Sequence, residues 1–351
     1  MRTLVAALYA ALALIACSRA DAPAPTPKPE PAKPNPNDLG DGTALGAPVH
    51  YRNLTLYPVV ATGEIDDTDY LVLDEGMQQG AVTIKEDPDA SVNELTLTNK
   101  SAQPLFVMAG EVVVGGKQDR IIGKNTVIPA KTTLEVPVFC VEHGRWTGRH
   151  ADFASAGVLA HQTLRSKASY EQQTDVWDEV ASKNTKRGTD RGNETGTYRG
   201  AAVEQTTTLA DWDKAFDVAL AAAQPKKQVG YAVALDGEVV AIDVFGGPRL
   251  LAKLDRKLRR SYYAEAIDAP FDPKARVASV DDVKTFLHKN DKVPDEKIYD
   301  TEAADTLNQV GDKTASTKVM SKGAAGKKPK AIYKSVTKYE KKKADVLEPI
   351  R

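Results

Sequence analysis

Short apolar runs with the two-residue period of β-strands fill the chain between residues 52 and 142. Most are β-branched and bounded by Gly, Pro, Asn or Asp, as in strands joined by turns. Closely spaced strands of this kind indicate a sandwich or a partly open barrel. The predicted strands are Leu54–Val60, Tyr70–Leu73, Ala81–Lys85, Glu94–Thr98, Leu105–Ala109, Glu111–Val114, Thr126–Ile128 and Thr132–Glu142.

Beyond Arg149 the apolar residues recur at spacings of three and four, which is typical of helices. Four signals for the start of a helix lie in this region: Ser169-x-x-Gln172, Thr208-x-x-Asp211, Gly247-Pro248 and Ser279-x-x-Asp282. Residues 183–207 are polar and contain several glycines, so they are predicted to form an exposed loop.

Two apolar runs, Gln228–Leu235 and Glu238–Phe245, are joined by Asp236-Gly237, a strong β-hairpin signal. We therefore expect an α+β fold in which a β-rich, sandwich-like half precedes a helical half with a β-hairpin. Residues 51–340 are expected to form one composite domain, with 51–150 as the β-rich half and 151–340 as the α/β half.

The first 16 residues have the order of a secretory signal peptide, with Arg2 followed by an apolar run too short to cross a bilayer. Leu14-Ile15-Ala16-Cys17 resembles a bacterial lipobox, which implies a lipoprotein acylated on Cys17, with palmitate or a similar chain. Ser18 resembles the default signal for sorting to the outer membrane. The alternative is an ordinary cleaved signal peptide with a cysteine there by chance.

Residues 17–50 are predicted to be a tether, since seven prolines lie between Pro23 and Pro36. Such a run favours polyproline II and would extend ~40 Å at ~3.1 Å per residue. We therefore expect a domain anchored in the cell envelope by lipid on Cys17, at the outer membrane, facing the periplasm or the cell surface.

Charge and cysteine content exclude several classes of protein. The net charge of −1 argues against a nucleic-acid-binding protein, and two cysteines cannot build a disulfide scaffold. Lys313–Lys343 contains 11 lysines and one acidic residue, and 341–351 is a charged tail. The positive charge of this segment is interpreted as balancing the net negative charge of residues 17–312. The alternative is that the segment binds an anionic surface.

The densest group of polar residues lies in Ala109–Trp146. Gly115-Gly116 permits a tight reversal between strands. The polar side chains on either side, those of Glu111, Gln118, Arg120, Glu142 and Arg145, are therefore predicted to converge in a polar pocket. The alternative is a set of ion pairs at exposed strand ends. No metal site is predicted, because Cys140, Glu142, His143 and His150 match no common ligand spacing. The candidate site residues are Glu111, Gln118, Arg120, Glu142, Arg145 and Trp146.

The stretches GEVVVGGKQDR and VPVFCVEHGRW resemble the ARG and Rhodanese-Phosphatase-superfamily-associated Protein domain. VGYAVALDGEVVAIDVFGGPRLLAKLDRKLRRSYYAEAI resembles a later segment of the same family, so the resemblance covers roughly Arg52–Tyr339. Asp119 stands where the family pattern leads us to expect Asn. The resemblance implies a fold unit and further binding candidates at Arg260, Tyr262 and Glu265, without an activity.

The expected function is that of an envelope-anchored binding or interaction module with a polar pocket, whose ligand, a small molecule or a protein, the sequence does not identify. The alternative is a hydrolase-like enzyme, with Glu142 or Glu111 as general acid or base and Arg120 or Arg145 holding an anion. A structural spacer without a ligand is a third possibility. The membrane is the expected partner through Cys17; nucleic acid is not expected, and the sequence identifies no cofactor.

Overall fold

A computed structural model describes residues 35–86, 92–145, 152–202, 208–223, 226–323 and 328–340. The described residues from Pro36 to Glu340 belong to one compact unit. Several sequence predictions concern residues outside the described ranges: the signal segment with Cys17, the tether up to residue 34, His150, Trp146 and the 341–351 tail.

Two sheets are built from residues 71–159. The larger has the strand order β12-β8-β9-β11-β6-β5, and the smaller has the order β10-β7-β4. Leu97, Val113 and Val138 belong to one apolar core that the two sheets share. The strands are β4 (Leu71–Val72), β5 (Val82–Lys85), β6 (Glu94–Asn99), β7 (Leu105–Val107), β8 (Glu111–Gly115), β9 (Arg120–Ile122), β10 (Thr126–Ile128), β11 (Thr132–Cys140) and β12 (Phe153–Leu159).

A third, antiparallel sheet joins strands from the beginning and the end of the chain. Its order is β1-β3-β13-β14-β18-β17-β16-β15, with β2 also paired to β3. Leu56 on β3 lies opposite Val233 on β13, so the two predicted halves share this sheet. The strands are β1 (Thr43–Leu45), β2 (Val49–Tyr51), β3 (Leu54–Ala61), β13 (Gln228–Leu235), β14 (Glu238–Phe245), β15 (Glu296–Asp300), β16 (Ala304–Val310), β17 (Thr314–Ser321) and β18 (Ala331–Lys338).

Helices cover the sheets through apolar stripes. Leu251, Leu254 and Leu258 recur along one face of α5 (Pro248–Ala266) and are buried in the largest apolar core, as their spacing predicts. In the described ranges no helix is both long and apolar enough to cross a membrane. The helices are α1 (Leu73–Gln78), α2 (Gln162–Tyr170), α3 (Gln173–Arg187), α4 (Ala210–Ala223), α5 (Pro248–Ala266) and α6 (Val280–Leu287).

The predicted α+β, β-rich class is confirmed, and the hairpin has the predicted bounds. The predicted helix start at Ser169 is wrong: Ser169 lies inside α2, and Gln172 with Asp175 forms the capping box of the next helix. The prediction of an exposed loop over 183–207 is also wrong in part, because α3 extends to Arg187 and Tyr198 is fully buried.

Candidate functional site

The turn between β8 and β9 sets the positions of the polar side chains in the first resembling stretch, GEVVVGGKQDR. At Gly116, whose φ is +49°, a Cβ atom would lie 2.4 Å from the Phe153 ring and 2.8 Å from Glu86 Oε1, so only glycine fits. The backbone N–H of Lys117 donates to Glu86 Oε1 at 3.0 Å. The turn is thereby fixed, and the Gln118 side chain that follows is buried.

Glu142 makes the contacts that join the stretch VPVFCVEHGRW to GEVVVGGKQDR. Its Oε2 accepts hydrogen bonds from Arg145 Nε at 2.8 Å and from the Asp119 N–H at 3.1 Å, and its Oε1 accepts one from Thr195 Oγ1 at 2.7 Å. Its backbone oxygen accepts a bond from Gln118 Nε2 at 2.7 Å. Burial alone would raise the pKa of Glu142, but these hydrogen bonds and the Arg145 charge lower it.

Asp119, at the position where Asn was expected, is buried and has two arginine partners. Its Oδ1 accepts bonds from Arg199 Nη2 at 2.9 Å and Arg145 Nη2 at 3.3 Å, and Thr197 Oγ1 donates to Oδ2 at 3.0 Å. A buried carboxylate requires paired charge. Arg199, which is half exposed, provides part of that charge and explains how Asp is accommodated here.

Arg120 is almost wholly buried on β9. Its Nη2 lies 3.3 Å from Glu86 Oε1, and its Nη1 donates to Gln118 Oε1 at 3.4 Å. Its Nε has no hydrogen-bond partner within the described part of the chain. Cys140 pairs with Arg120 across the strands and is buried, and burial raises the pKa of its thiol.

We refer to these residues as the motif cluster. Its three carboxylates and three guanidinium groups balance one another, and Arg145 also donates to the Gly116 and Gly115 carbonyls at 2.8 and 3.3 Å. Such a network holds β9 and the 142–145 turn together, and it leaves the arginines little capacity to clamp an outside anion. The motif cluster comprises Glu86, Gln118, Asp119, Arg120, Glu142, Arg145 and Arg199.

Glu111 does not join the motif cluster, so the prediction that it converges there is wrong. Its carboxylate is buried against α5, where it accepts hydrogen bonds from Lys257 and from the Met108 N–H. Lys257 also contacts Asp74 at 2.9 Å. Burial raises the pKa of Glu111, against the effect of Lys257. Glu111 is paired with the ammonium group of Lys257 instead, a contact that strand alternation alone does not reveal.

The three candidate binding residues on α5, Arg260, Tyr262 and Glu265, each contact a different part of the protein. Arg260 forms ion pairs with Asp213 on α4, with Nη2 2.5 Å from Oδ2. Tyr262 donates to the buried Asp243. Glu265 accepts bonds from the Thr163 N–H at 2.9 Å and from Thr163 Oγ1 at 2.8 Å, at the start of α2. Glu265 lies there in the wall of a cavity.

Asp243 on β14 is the centre of a fully buried polar network. It accepts hydrogen bonds from Tyr262 and Tyr333, and Arg165 Nη2 donates to it at 2.9 Å. Burial disfavours the charged form of Arg165, but Asp243 beside it outweighs this effect and raises the pKa of the guanidinium. Burial also raises the pKa of both tyrosines. The Arg165 guanidinium is thus held charged inside the protein.

A cavity of about 610 Å³ lies above this network, between α2, the β13–β14 hairpin, the end of α5 and the end of β18. Gln162 connects the two, since its Oε1 accepts from Arg165 at 3.0 Å and its Nε2 donates to Thr337 Oγ1 at 2.8 Å. We call it the hairpin cavity. Its wall consists of Gln162, Thr163, Ser166, Lys167, Glu171, Leu235, Asp236, Glu238, Val240, Glu265, Ala269, Pro270, Thr337, Lys338, Tyr339 and Glu340.

A second cavity of about 700 Å³ lies beside α1, β5 and β12. Three of its charged wall residues have partners within the chain: Lys85 lies 3.2 Å from Asp152, and Asp74 contacts Lys257. Its Ser155 hydroxyl donates to Asp74. Within the described residues, no group of three or more His, Cys, Asp or Glu side chains could hold a metal ion.

A comparison with protein families matches residues 42–336 to the ARG and Rhodanese-Phosphatase-superfamily-associated Protein domain, ARPP-1. The chain belongs to this family. The match covers all three stretches that resemble the family, and the predicted family is confirmed. No curated protein and no solved structure matches the chain.

Sequence reasoning missed several residues that complete the sites of this ARPP-1 domain. Thr195 and Arg199 lie in the segment predicted to be an exposed loop, yet they bind Glu142 and Asp119. Asp243 stands in an apolar strand, where a lone acidic residue is a usable signal for a buried polar network. Ser166 carries no such signal, because a serine on a helix is ordinary.

Proposed function

We propose that this chain is an exported lipoprotein whose ARPP-1 domain binds a small ligand in the hairpin cavity. The export and anchoring part rests on the sequence order of a charged start, an apolar run and Leu14-Ile15-Ala16-Cys17. Acylation of Cys17 would fix the chain to the outer membrane, and the proline-rich tether would separate the domain from the lipid surface.

The observation that carries the binding proposal is the composition of the hairpin cavity. Its volume of about 610 Å³ is in the range of small-molecule sites, which combine apolar walls with a few polar groups. Ser166 lies in the wall and is only 7% exposed, and its hydroxyl has no hydrogen-bond partner in the described part of the chain. The hydroxyl is open to the cavity, so a ligand there can form the hydrogen bond that the described part of the chain does not supply.

The motif cluster has a supporting role in this proposal. Its charges are matched within the chain, and its contacts fix the 142–145 turn and the 195–199 segment. Tyr198 from that segment lies against His161 at the start of α2, with 2.9 Å between the hydroxyl and Nδ1. The cluster thereby supports the helix that forms one wall of the cavity.

Support for the hydrolase-like alternative is weaker. Glu142 has a lowered pKa and is held by hydrogen bonds on both oxygens, so it is a poor general acid or base near neutral pH. Glu111 has a raised pKa, but it is 1% exposed and engaged by Lys257. Neither carboxylate lines the hairpin cavity.

A thermal-shift screen against cell-envelope fragments, nucleotides and metal ions tests the binding proposal. A ligand at 100 times its Kd stabilises a protein by about 2.7 kcal/mol. We expect a hit whose shift is lost in Ala269→Trp, which places a bulky ring in the cavity wall. The matched control is Ala222→Trp, on the exposed face of α4. A hit that Ala269→Trp leaves unchanged would place the ligand elsewhere, and a screen without hits would favour a structural spacer.

A further inference from the structure

We infer that the ligand of the hairpin cavity is an organic cation, with an ammonium or guanidinium group on an apolar or aliphatic body. The inference rests on the proposed binding function and adds the chemical class of the ligand. It follows from the charge of the wall, from one unpartnered hydroxyl and from the apolar surface between them.

The wall of the hairpin cavity has an excess of negative charge. It contains five carboxylates and two lysines. Both lysines are already paired: Lys167 lies 2.8 Å from Glu179, and Lys338 lies 2.8 Å from Glu238. Glu171, Asp236 and Glu265 have no lysine or arginine within ion-pair distance among the described residues. A concave wall with an excess of one charge attracts ligands of the opposite charge.

Glu265 is held in a fixed orientation inside this wall. The two hydrogen bonds from Thr163, at 2.8 and 2.9 Å, occupy one acceptor position on each oxygen. An ionised carboxylate has about four acceptor positions, so about two remain for a ligand. A charged N–H donor forms stronger bonds to such an oxygen than a neutral donor does.

The Ser166 hydroxyl is the independent observation that points to a ligand. The Ser166 residue is more than nine-tenths buried and lines the cavity, and its hydroxyl, which is open to the cavity, has no partner in the described part of the chain. Thr163 and Ser166 are three residues apart on α2, so they lie on the same face of the helix. A ligand held by Glu265, beside Thr163, therefore lies within one helical turn of this hydroxyl.

The remaining wall suits the body of such a cation. Leu235, Val240 and Pro270 provide apolar surface, and Tyr339 provides an aromatic ring that attracts cations. Phe271 follows the wall residue Pro270 in the sequence and is 57% exposed, which is unusual for a large apolar side chain. An aliphatic chain between charged ends would cover this surface.

Isothermal titration calorimetry with three flexible small molecules of similar length tests the charge of the ligand. The probes are spermidine, 1,8-octanediol and suberate, which carry positive, no and negative charge. We expect the protein to bind spermidine with an affinity that falls as salt is added, and to bind the diol and the diacid at least tenfold more weakly. Equal or tighter binding of the diol or the diacid would overturn the inference.

Two variants assign the binding to this wall. Glu265→Gln is expected to weaken spermidine binding at least tenfold, and Glu171→Gln, which does not touch the start of α2, is expected to weaken it several-fold. Glu302→Gln, an exposed residue outside the wall, is the matched control and should change nothing. Unchanged affinity in both wall variants would overturn the inference even if one of them lost stability.

Two sources of the cation are distinguished by adding a short peptide, acetyl-Gly-Lys-Gly-amide. Tighter binding of the peptide indicates a basic side chain of a protein, and tighter binding of spermidine indicates a free amine; both support the cationic class. If suberate binds and Ala269→Trp abolishes that binding, the class is wrong while the proposed binding function stands. If the thermal-shift screen also finds no cavity ligand, the proposed function itself fails.

Discussion

Replacement of Arg145 by alanine tests whether the motif cluster is a buried network or a set of surface ion pairs. Arg145 Nε lies 2.8 Å from Glu142 Oε2, and its Nη1 and Nη2 reach two backbone carbonyls and Asp119. Glu142 and Asp119 are only 4% and 1% exposed. Loss of the arginine therefore leaves two buried carboxylates with part of their compensation removed.

The magnitude follows from the burial of the partners. Breaking a buried ion pair by removing one partner costs about 3–5 kcal/mol. Arg145 itself is 24% exposed, so water can enter the space it leaves, and Thr195 and the Asp119 N–H still bind Glu142. We therefore expect Arg145→Ala to lower the free energy of unfolding by about 2–4 kcal/mol at pH 7.

The effect has a defined pH dependence. The folded-state pKa of Glu142 lies below its ordinary value of 4.5, so its stabilisation is complete above about pH 4.5 and is lost as the pH falls through the lowered pKa. In Arg145→Ala that depression is reduced. The difference in stability between wild type and variant should therefore shrink as the pH is lowered below about 4.5.

Urea denaturation monitored by tryptophan fluorescence measures these values. The control is Lys85→Ala, which breaks an ion pair with Asp152 in which the two side chains are 58% and 68% exposed. Exposed pairs contribute about 0–1 kcal/mol, so this variant should be nearly neutral. Equal effects of the two replacements, or no effect of Arg145→Ala, would refute a buried network at the motif cluster.

Three further results are expected. Cys17→Ala should abolish fatty-acid labelling in cells, and equal labelling of wild type and variant would exclude the lipobox. Asp243→Asn should cost about 3–5 kcal/mol in urea denaturation because it leaves a buried guanidinium without a counter-charge, whereas Tyr262→Phe should cost about 1 kcal/mol; equal costs would contradict this. Replacing the three lysines of 341–343 by Gln should leave vesicle binding of the unlipidated protein unchanged, and a large, salt-sensitive loss would instead indicate an anionic surface as partner.

Local signals explain which elements could be predicted. Asp236 and Gly237 have φ of +44° and +78°, as the two-residue hairpin turn requires, so the hairpin bounds follow from the sequence. Strands β15–β17 could not be predicted in the same way. Thr306, Asn308 and Thr317 are buried polar residues there, and they interrupt the apolar alternation on which strand prediction depends.

The candidate site was predictable only where contacts are close along the chain. Gly115-Gly116 makes the reversal that brings Gln118 and Arg120 toward Glu142, and Gln118 binds both the Glu142 backbone oxygen and Arg120. The position of Glu111 depends on Lys257, 146 residues away, and no local pattern encodes that contact. The hairpin cavity likewise requires α2, the hairpin, α5 and β18 to meet, which only the folded chain defines.

A ¹⁵N NMR titration of the protein with spermidine tests the location of the binding site most directly. We predict that the backbone amides of Ser166, Asp236 and Glu265 shift in a saturable way, since they line the hairpin cavity. The amides of Gln118 and Arg145 in the motif cluster should stay unchanged. Saturable shifts confined to the motif cluster would contradict the assignment of the hairpin cavity as the ligand site.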